Sequence, residues 1–395
     1  MHTVKYSRVN FSWGEIMGYL KRYLETGIKE DLEKKMVFLS GPRQCGKTTL
    51  ARKILQDHHQ QNSPDRYLTW DSYQDRENII REQFPAGPGI LVLDEIHKYS
   101  RWRQVVKGLY DKRKHEIKIL VTGSGRLDFY RHGGDSLQGR YHFYRLHPFS
   151  YREVHTRGKY NLSHLFTYGG FPEPFLLASI RETNRWSREY KSRIIQEDIN
   201  SLENVKDVNL LEHLVMRLPE LVGSPLSINA LRQDLQVSHA TLSRWIAILE
   251  NMYMIFRIYP FGAPTIRAVK KEAKHYHFDW MIVEEESYRF ENLVACHLLK
   301  WCHYCQDYEG RDTELRYFRD IDKREVDFVL LENKKPLYFI ECKLKNKDIN
   351  PALKYLKQRF PKVETVQIDL RGNEDYLTRD GIHVCPAEKF LKKFI

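Results

Sequence analysis

The sequence predicts an α/β protein of three parts, on three observations. Residues Gly41 to Thr48 form a glycine-rich loop between a short apolar run and a helical pattern. Residues Ser227 to Leu249 have the spacing of two short amphipathic helices around a tight turn. Asp327 and the triplet Glu341-Cys342-Lys343 stand on two strand-like runs joined by a polar turn. At 395 residues the chain is too long for one small core. The expected divisions are an α/β nucleotide unit with an N-terminal extension over 1–160, a helical lid or connector over 161–204, a winged helix-turn-helix over 205–278 and an α/β domain over 279–395.

The first part rests on Met36-Val37-Phe38-Leu39 followed by Gly41-Pro42-Arg43-Gln44-Cys45-Gly46-Lys47-Thr48-Thr49. This is G-x-x-x-x-G-K-T between a strand and a helix, the P-loop pattern. Its glycines let backbone N–H groups wrap phosphate oxygens, and the helix N-terminus adds its positive dipole end. Lys47 is expected to reach the β and γ oxygens, and Thr48 to ligate magnesium. A second buried run, Ile90-Leu91-Val92-Leu93, ends in Asp94-Glu95. In a doubly wound sheet such a carboxyl end faces the nucleotide, so Asp94 is expected to hold the magnesium through water and Glu95 to act as general base. The plain alternative for Glu95 is a solvated charge. The third run, Ile117 to Val121, ends in Thr122-Gly123-Ser124, where Ser124 or Thr122 could sense the γ-phosphate and a simple glycine turn explains them nearly as well. Arg140 precedes the next strand, Tyr141 to Leu146, and is either a finger acting across a subunit boundary or a surface ion pair.

In the second part, Ile180 to Asn204 reads as a charged helix carrying Glu197 and Asp198. Ser227 then caps a helix with Ile228, Leu231 and Leu235, and Ser238 opens another with Leu242, Trp245, Ile246 and Leu249. Strands at Tyr253 to Tyr259 and His275 to Phe278, around the turn Phe261-Gly262-Ala263-Pro264, would supply a wing. The outward residues His239, Thr241, Ser243 and Arg244 are of the kinds that touch bases and phosphates. Winged helices also serve as protein contacts.

In the third part, Arg289 to Trp301 is an amphipathic helix with Glu291 beside its apolar stripe. With a three-residue loop of Asn333, Lys334 and Lys335, the following hairpin places Asp327 opposite Glu341, about 5 Å apart. Both carboxylates could then hold one divalent ion. Glu341 and Lys343 are two apart on a strand and share a face. An Asp…Glu-x-Lys array after a helical glutamate resembles the restriction-endonuclease-like nucleases, in which the acids bind Mg²⁺ and the lysine positions water. A surface ion pair is the alternative. The helix Pro351 to Phe360 offers lysines to a phosphate backbone or to solvent.

Charge and composition narrow the partners. Sixty-four basic against 52 acidic residues leave a net charge of +12, which attracts polyanions. Nucleic acid, DNA by preference, is the expected partner, with a homo-oligomer implied by a finger acting in trans. No apolar run approaches the roughly 18 residues of a membrane span, and no apolar stretch follows the basic N-terminal residues. The cytoplasm is therefore the expected compartment, with no membrane partner. Six scattered cysteines do not form a disulfide framework, and Cys302-x-x-Cys305 without a second pair reads as buried free thiols.

The segments Gly41 to Leu50, Leu93-Asp94-Glu95-Ile96, Thr122-Gly123-Ser124, Gly139-Arg140 with Pro148-Phe149-Ser150, and Gly169-Gly170-Phe171-Pro172-Glu173 carry a family resemblance. Phe290-Glu291-Asn292-Leu293-Val294, Glu325-Val326-Asp327-Phe328 and Ile340-Glu341-Cys342-Lys343 extend it over nearly the whole chain. The chain resembles a family of bacterial and archaeal AAA-type ATPases with a characteristic C-terminal domain of uncharacterised function. The resemblance implies an ATPase using ATP and Mg²⁺, fused to a winged helix and a restriction-endonuclease-like PD-(D/E)xK domain. Cys45 stands where the family usually has a small aliphatic residue.

Overall fold

The computed structural model describes residues 19–59, 66–124, 127, 137–156, 158, 160–199, 207–262, 273–345 and 348–395. Among them β1 (Met36–Ser40), β2 (Tyr67–Thr69), β3 (Gly89–Asp94), β4 (Ile117–Thr122) and β5 (Tyr141–Arg145) form a parallel sheet ordered β2-β3-β4-β1-β5. The apolar runs at β1, β3 and β4 form because both faces of a parallel sheet are covered. Val37 and Leu39 join one core with Leu50, Ile54 and Leu120, while Met36 and Phe38 join another with Leu91, Leu93 and Val121. This is the period-two alternation of a strand with helices on both sides. Helix Lys47–His59 covers the first face and helix Trp102–Arg113 the second.

The middle is helical. Helices Leu162–Tyr168, Pro172–Leu177 and Ile180–Arg193 follow one another, and the last continues as a π-helical stretch, Ile194–Ile199. The regular α-helix expected to reach Asn204 thus ends at Arg193, and the side chains of Glu197 and Asp198 lie outside the described set. A helix not anticipated from sequence, Val208–Arg217, precedes the helix-turn-helix. Ser227 caps helix Ile228–Asp234 by accepting the Ala230 N–H, and Ser238 caps helix His239–Asn251 by accepting the Thr241 N–H. Gln236, at φ 53°, makes the tight turn between them.

The two strands that follow, β6 (Ile255–Pro260) and β7 (Lys274–His277), pair antiparallel. Ala263 and Pro264 of the expected wing turn lie outside the described residues. The hairpin does not stand apart, because Tyr259 and Pro260 pair in parallel with Arg316 and Tyr317 of β8 (Thr313–Arg319). With β9 (Glu325–Glu332), β10 (Lys335–Lys343), β11 (Glu364–Asp369), β12 (Tyr376–Leu377) and β13 (His383–Pro386), one sheet runs β12-β13-β11-β10-β9-β8-β6-β7. The expected division at 278/279 therefore falls within a continuous sheet. The backbone groups on the outer edge of β6 need partners, and β8 supplies them.

The β9–β10 hairpin reaches the expected register by a different device. Asn333 and Lys334 both have positive φ, 49° and 64°, making a two-residue turn that pairs Glu332 with Lys335. A bulge between Pro336 and Tyr338 then shifts the register by one, so that Ile340 faces Phe328. The extra bulge residue replaces the expected third loop residue, and the next position along brings Glu341 to Asp327.

Helix Glu286–Tyr304 joins the halves. Its positions Phe290 to Leu298 are all buried, as befits a helix enclosed on nearly every side. Cys302 and Cys305 are buried and unbridged, with Cys45, Cys296 and Cys385. Among the described residues no helix is long and apolar enough to cross a membrane.

Candidate nucleotide site and carboxylate cluster

At the carboxyl end of the parallel sheet, Gly41 (φ 144°), Gln44 (φ 59°) and Gly46 (φ 97°) give the loop the mixed-hand backbone of an anion nest. A Cβ on Gly41 would stand 2.2 Å from the Leu146 carbonyl oxygen, so only glycine allows this close approach. Lys47 Nζ donates to the Gly41 and Pro42 carbonyls at 2.9 and 2.6 Å, curling over the loop. Thr48 Oγ1 donates to Asp94 Oδ2 at 3.3 Å, which joins the two magnesium candidates.

Asp94 is buried, and its second-strand neighbours were visible only in part from sequence. The Tyr67 hydroxyl donates to Asp94 Oδ2 at 2.5 Å, and the Thr122 hydroxyl, directly across the β3–β4 ladder, donates to Oδ1. Burial raises the Asp94 carboxyl above its ordinary range, with Glu95 adding to the rise, while the Thr122 and Tyr67 hydrogen bonds oppose it. A bound cation would reverse that balance. Glu95 has φ 55°, left-handed for a residue with a side chain, and its Oε2 lies 3.5 Å from Lys98 Nζ and 3.7 Å from His97 Nε2. Such backbone strain persists where the surroundings fix it, and it tends to gather at functional positions.

These groups face one cavity of about 780 Å³ lined by Gln44, Gly46, Lys47, Thr48, Thr49, Asp94 and Glu95, with an apolar wall from Leu20, Phe149, Pro172 and Leu176. The polar end suits phosphates and the apolar wall a heteroaromatic base. Gly41 and Cys45, also expected at the nucleotide, are not among the cavity's lining residues. Ser124, expected as a sensor, is buried beyond the end of β4 and is not among the lining residues; its neighbour Thr122 is engaged with Asp94 instead. Arg140 Nε donates to Asp111 Oδ1 at 3.0 Å on the surface, so within one chain it makes the ion pair that was its alternative reading.

Sequence reading missed a buried ion cluster beside the loop, one member of which, Arg22, lines the same cavity. Arg22 is 4% exposed and donates from Nη1 to the Cys45 carbonyl at 2.7 Å, from Nη2 to the His147 carbonyl at 2.5 Å and from Nε to Glu153 at 2.9 Å. Glu153 also accepts from Lys300, which itself donates to the Pro148 carbonyl at 3.0 Å. The only sequence signal was Ser150-x-x-Glu153, a helix capping box, which Glu153 indeed closes. Burial by itself would raise the Glu153 carboxyl, but Lys300 and then Arg22 outweigh it and hold it at about 2. Burial pulls the Lys300 ammonium down to about 8, so it stays charged at neutral pH.

A carboxyl held below its unfolded value stabilises the fold fully above that value, here 4.5, and loses this contribution as pH falls through about 2. Wild type should therefore lose stability across that interval more steeply than Glu153→Gln. At pH 7 the variant should be less stable by about 3 kcal/mol, since two buried cations lose their counter-ion. Urea unfolding at a series of pH values measures both.

On the helix-turn-helix, His239 and Arg244 are exposed and Thr241 and Ser243 half-buried at the start of helix His239–Asn251. Ser238 Oγ and Thr241 Oγ1 lie 2.8 Å apart within the cap, and Ser243 Oγ is 3.4 Å from His239 Nδ1.

In the C-terminal sheet, Asp327 Oδ2 accepts the Cys342 N–H at 2.9 Å, and Lys343 Nζ donates to Glu341 Oε1 at 2.5 Å. Asp327 thus binds the backbone between the other two candidates, and Glu341 and Lys343 pair with each other. Glu291 joins them from the long helix, accepting from the Tyr276 hydroxyl at 2.6 Å and from Lys274 Nζ at 3.2 Å. Lys274 was not foreseen. A lysine following Lys270 and Lys271 in sequence reads as solvated, yet its side chain is fully buried, with Nζ 2.7 Å from Glu325 Oε1 and 4.0 Å from Asp327 Oδ1. Burial opposes its charge, but Glu291, Asp327 and Glu325 outweigh burial and keep it protonated. Burial, then Glu341 and Glu291, push the Asp327 carboxyl well above its ordinary range.

Glu341 Oε2 is buried and has no hydrogen-bond partner among the described residues, which suits a cation bound there. Among those residues, however, no group of three or more His, Cys, Asp or Glu side chains is arranged to hold a metal ion. Lys274 is the cation that Glu291, Glu325 and Asp327 already face.

Residues 33–155 match the family described as an AAA domain, 159–284 a domain of unknown function (DUF8612) and 289–390 another (DUF4143). The chain is 24% identical over 249 residues to the uncharacterized protein Rv2008c of Mycobacterium tuberculosis, covering 61% of this chain and 53% of that one. The match thus spans about half the length of that relative. The uncharacterized protein MJ1637 of Methanocaldococcus jannaschii is 23% identical over 406 aligned positions, covering 86% and 81% of the two chains. Among solved structures, the Aeropyrum pernix ORC1 protein in complex with DNA aligns with a TM-score of 0.35 and 13% identity, over 70% of this chain and 94% of that one. Residues 33–155 thus match an AAA domain and carry the phosphate-loop geometry described above, and two matched domains of unknown function follow them.

Proposed function

We propose that the protein hydrolyses ATP and that its nucleotide state controls a DNA-directed C-terminal unit in which Asp327, Glu341 and Lys343 cleave phosphodiesters. The observation that carries the reading is the convergence of Lys47, Thr48, Asp94 and Glu95 on one cavity beside a helix N-terminus. The loop amides and Lys47 neutralise the phosphates, and Glu95 orients and deprotonates the attacking water. Magnesium, held by Thr48 and through water by Asp94, would supply Lewis-acid polarisation of the phosphate oxygens. Steady-state ATPase assays with Mg²⁺, with and without DNA, test this; absence of turnover in both would end it.

DNA as partner is supported by the +12 charge and by the exposed His239 and Arg244 on the second helix of the helix-turn-helix. In the C-terminal cluster the two carboxylates would hold a divalent ion and Lys343 would steady charge on the scissile phosphate. A second reading, an ATP-driven switch or scaffold that binds DNA or protein without cutting, is favoured by the buried Lys274 ammonium, which already balances part of the acidic cluster.

Arg140 is proposed to act in trans within a homo-oligomer, leaving Asp111 to reach a neighbour's phosphates. Mixing Arg140→Ala with Glu95→Gln should then give activity at least about tenfold above either variant alone, because each supplies the group the other lacks. No recovery, with a monomeric sedimentation profile, would leave Arg140 as the partner of Asp111.

A further inference from the structure

We propose that Arg22 is a positioning residue of the ATP site and that the C-terminal domain holds it in place through Lys300, so nucleotide affinity depends on a helix that also serves the carboxylate cluster. The inference rests on the nucleotide reading of the P-loop cavity.

Arg22 lines the cavity beside the phosphate loop. Its guanidinium caps the Cys45 carbonyl, and a Cβ on Gly46 would stand 3.2 Å from Nη1, so the loop and the arginine are in mutual contact. It also lies over the Phe149 ring at 4.8 Å, which faces the same cavity. A planar, rigid fork that holds two carbonyls and one carboxylate fixes the loop's curvature in a way a single ammonium cannot. The orientation of Arg22 is in turn set by Glu153, whose other oxygen takes the Lys300 ammonium.

Lys300 comes from helix Glu286–Tyr304, 278 residues along the chain from Arg22, and is 1% exposed. The same helix presents Glu291 to Tyr276 and Lys274, nine positions and roughly 14 Å away along its axis. Further contacts seat the helix on the nucleotide unit: His297 Nε2 accepts the Tyr151 N–H at 2.9 Å, and the Lys300 ammonium lies over the Tyr23 ring at 4.2 Å. A shift of the loop on binding phosphates therefore reaches the helix through buried charge-assisted hydrogen bonds, and coupling of this kind is reciprocal.

The experiment is nucleotide binding by the full chain, measured by calorimetry with ADP and by the KM and kcat of ATP hydrolysis. Arg22→Met should weaken ADP binding and raise KM about tenfold with kcat changed less than about threefold. Lys300→Met, in the other domain, should weaken binding about threefold or more, Lys300→Arg should restore most of it, and Arg22→Met with Lys300→Met should lose less than the product of the single losses. Hydrogen exchange on wild type needs no variant to fold: ADP should slow exchange of the Tyr23 and Ser150 amides, which donate to Glu153, and of residues 297–304. Folded Lys300→Met with wild-type ADP affinity, or unchanged exchange over 297–304 in ADP-saturated wild type, would overturn the inference. Failure of wild type to bind any nucleotide would instead remove the ATPase reading itself.

Discussion

Glu95→Gln should lower ATP turnover by about 10³-fold while leaving nucleotide affinity within about threefold of wild type. The amide keeps the shape of the side chain at the end of β3 but cannot accept a proton from water, and the phosphates are held by other groups. Lys47→Ala should behave in the opposite way. It removes the ammonium that curls over Gly41 and Pro42, and with it charge-assisted contacts to the phosphates, so affinity should fall about a hundredfold. Calorimetric titration with a non-hydrolysable ATP analogue, alongside phosphate-release assays, separates the two. If Glu95→Gln turns over like wild type, the carboxylate is a solvated charge and another group must activate water.

Asp327→Ala and Glu341→Ala should each reduce divalent-dependent cleavage of DNA by at least about 10³-fold, with ATP hydrolysis and most DNA affinity retained. In the proposed site the ion would need both carboxylates, one from β9 and one from β10. Lys343→Ala should slow cleavage by about 10²-fold without loss of the metal, because it acts on phosphate charge. Cleavage should be assayed on varied DNA and RNA with Mg²⁺ or Mn²⁺, with and without ATP. If wild type cuts nothing in any combination, the binding-only reading prevails, and Lys274 gains importance as the permanent cation of the cluster. Salt-sensitive DNA binding would then distinguish a nucleic-acid switch from a protein scaffold.

Much of this was legible in the residues because it is carried by short-range rules. The run Met36 to Thr48 specifies strand, loop and helix through burial, glycine and helix-dipole chemistry that act within a dozen residues. Ser227 and Ser238 cap their helices where hydroxyl-to-backbone geometry requires. The period-two pleat put Glu341 and Lys343 on one face, and turn chemistry at Asn333 and Lys334 set the hairpin, although the bulge after Pro336 was needed to bring Glu341 to Asp327.

What only the tertiary structure decided are the contacts between residues far apart in sequence, because no local period or spacing encodes them. Tyr67 and Thr122 reach Asp94 only after β2, β3 and β4 align. β6 joins the C-terminal sheet because the end of its edge, Tyr259 and Pro260, pairs with β8, a contact that no local pattern announces. Lys274 and Lys300 look like ordinary surface lysines in sequence, since solvated charge is the rule for that residue type. Each is buried because acids brought from other elements, Glu291 and Glu325 in one case and Glu153 in the other, offset the desolvation that would otherwise expel a charge from the interior.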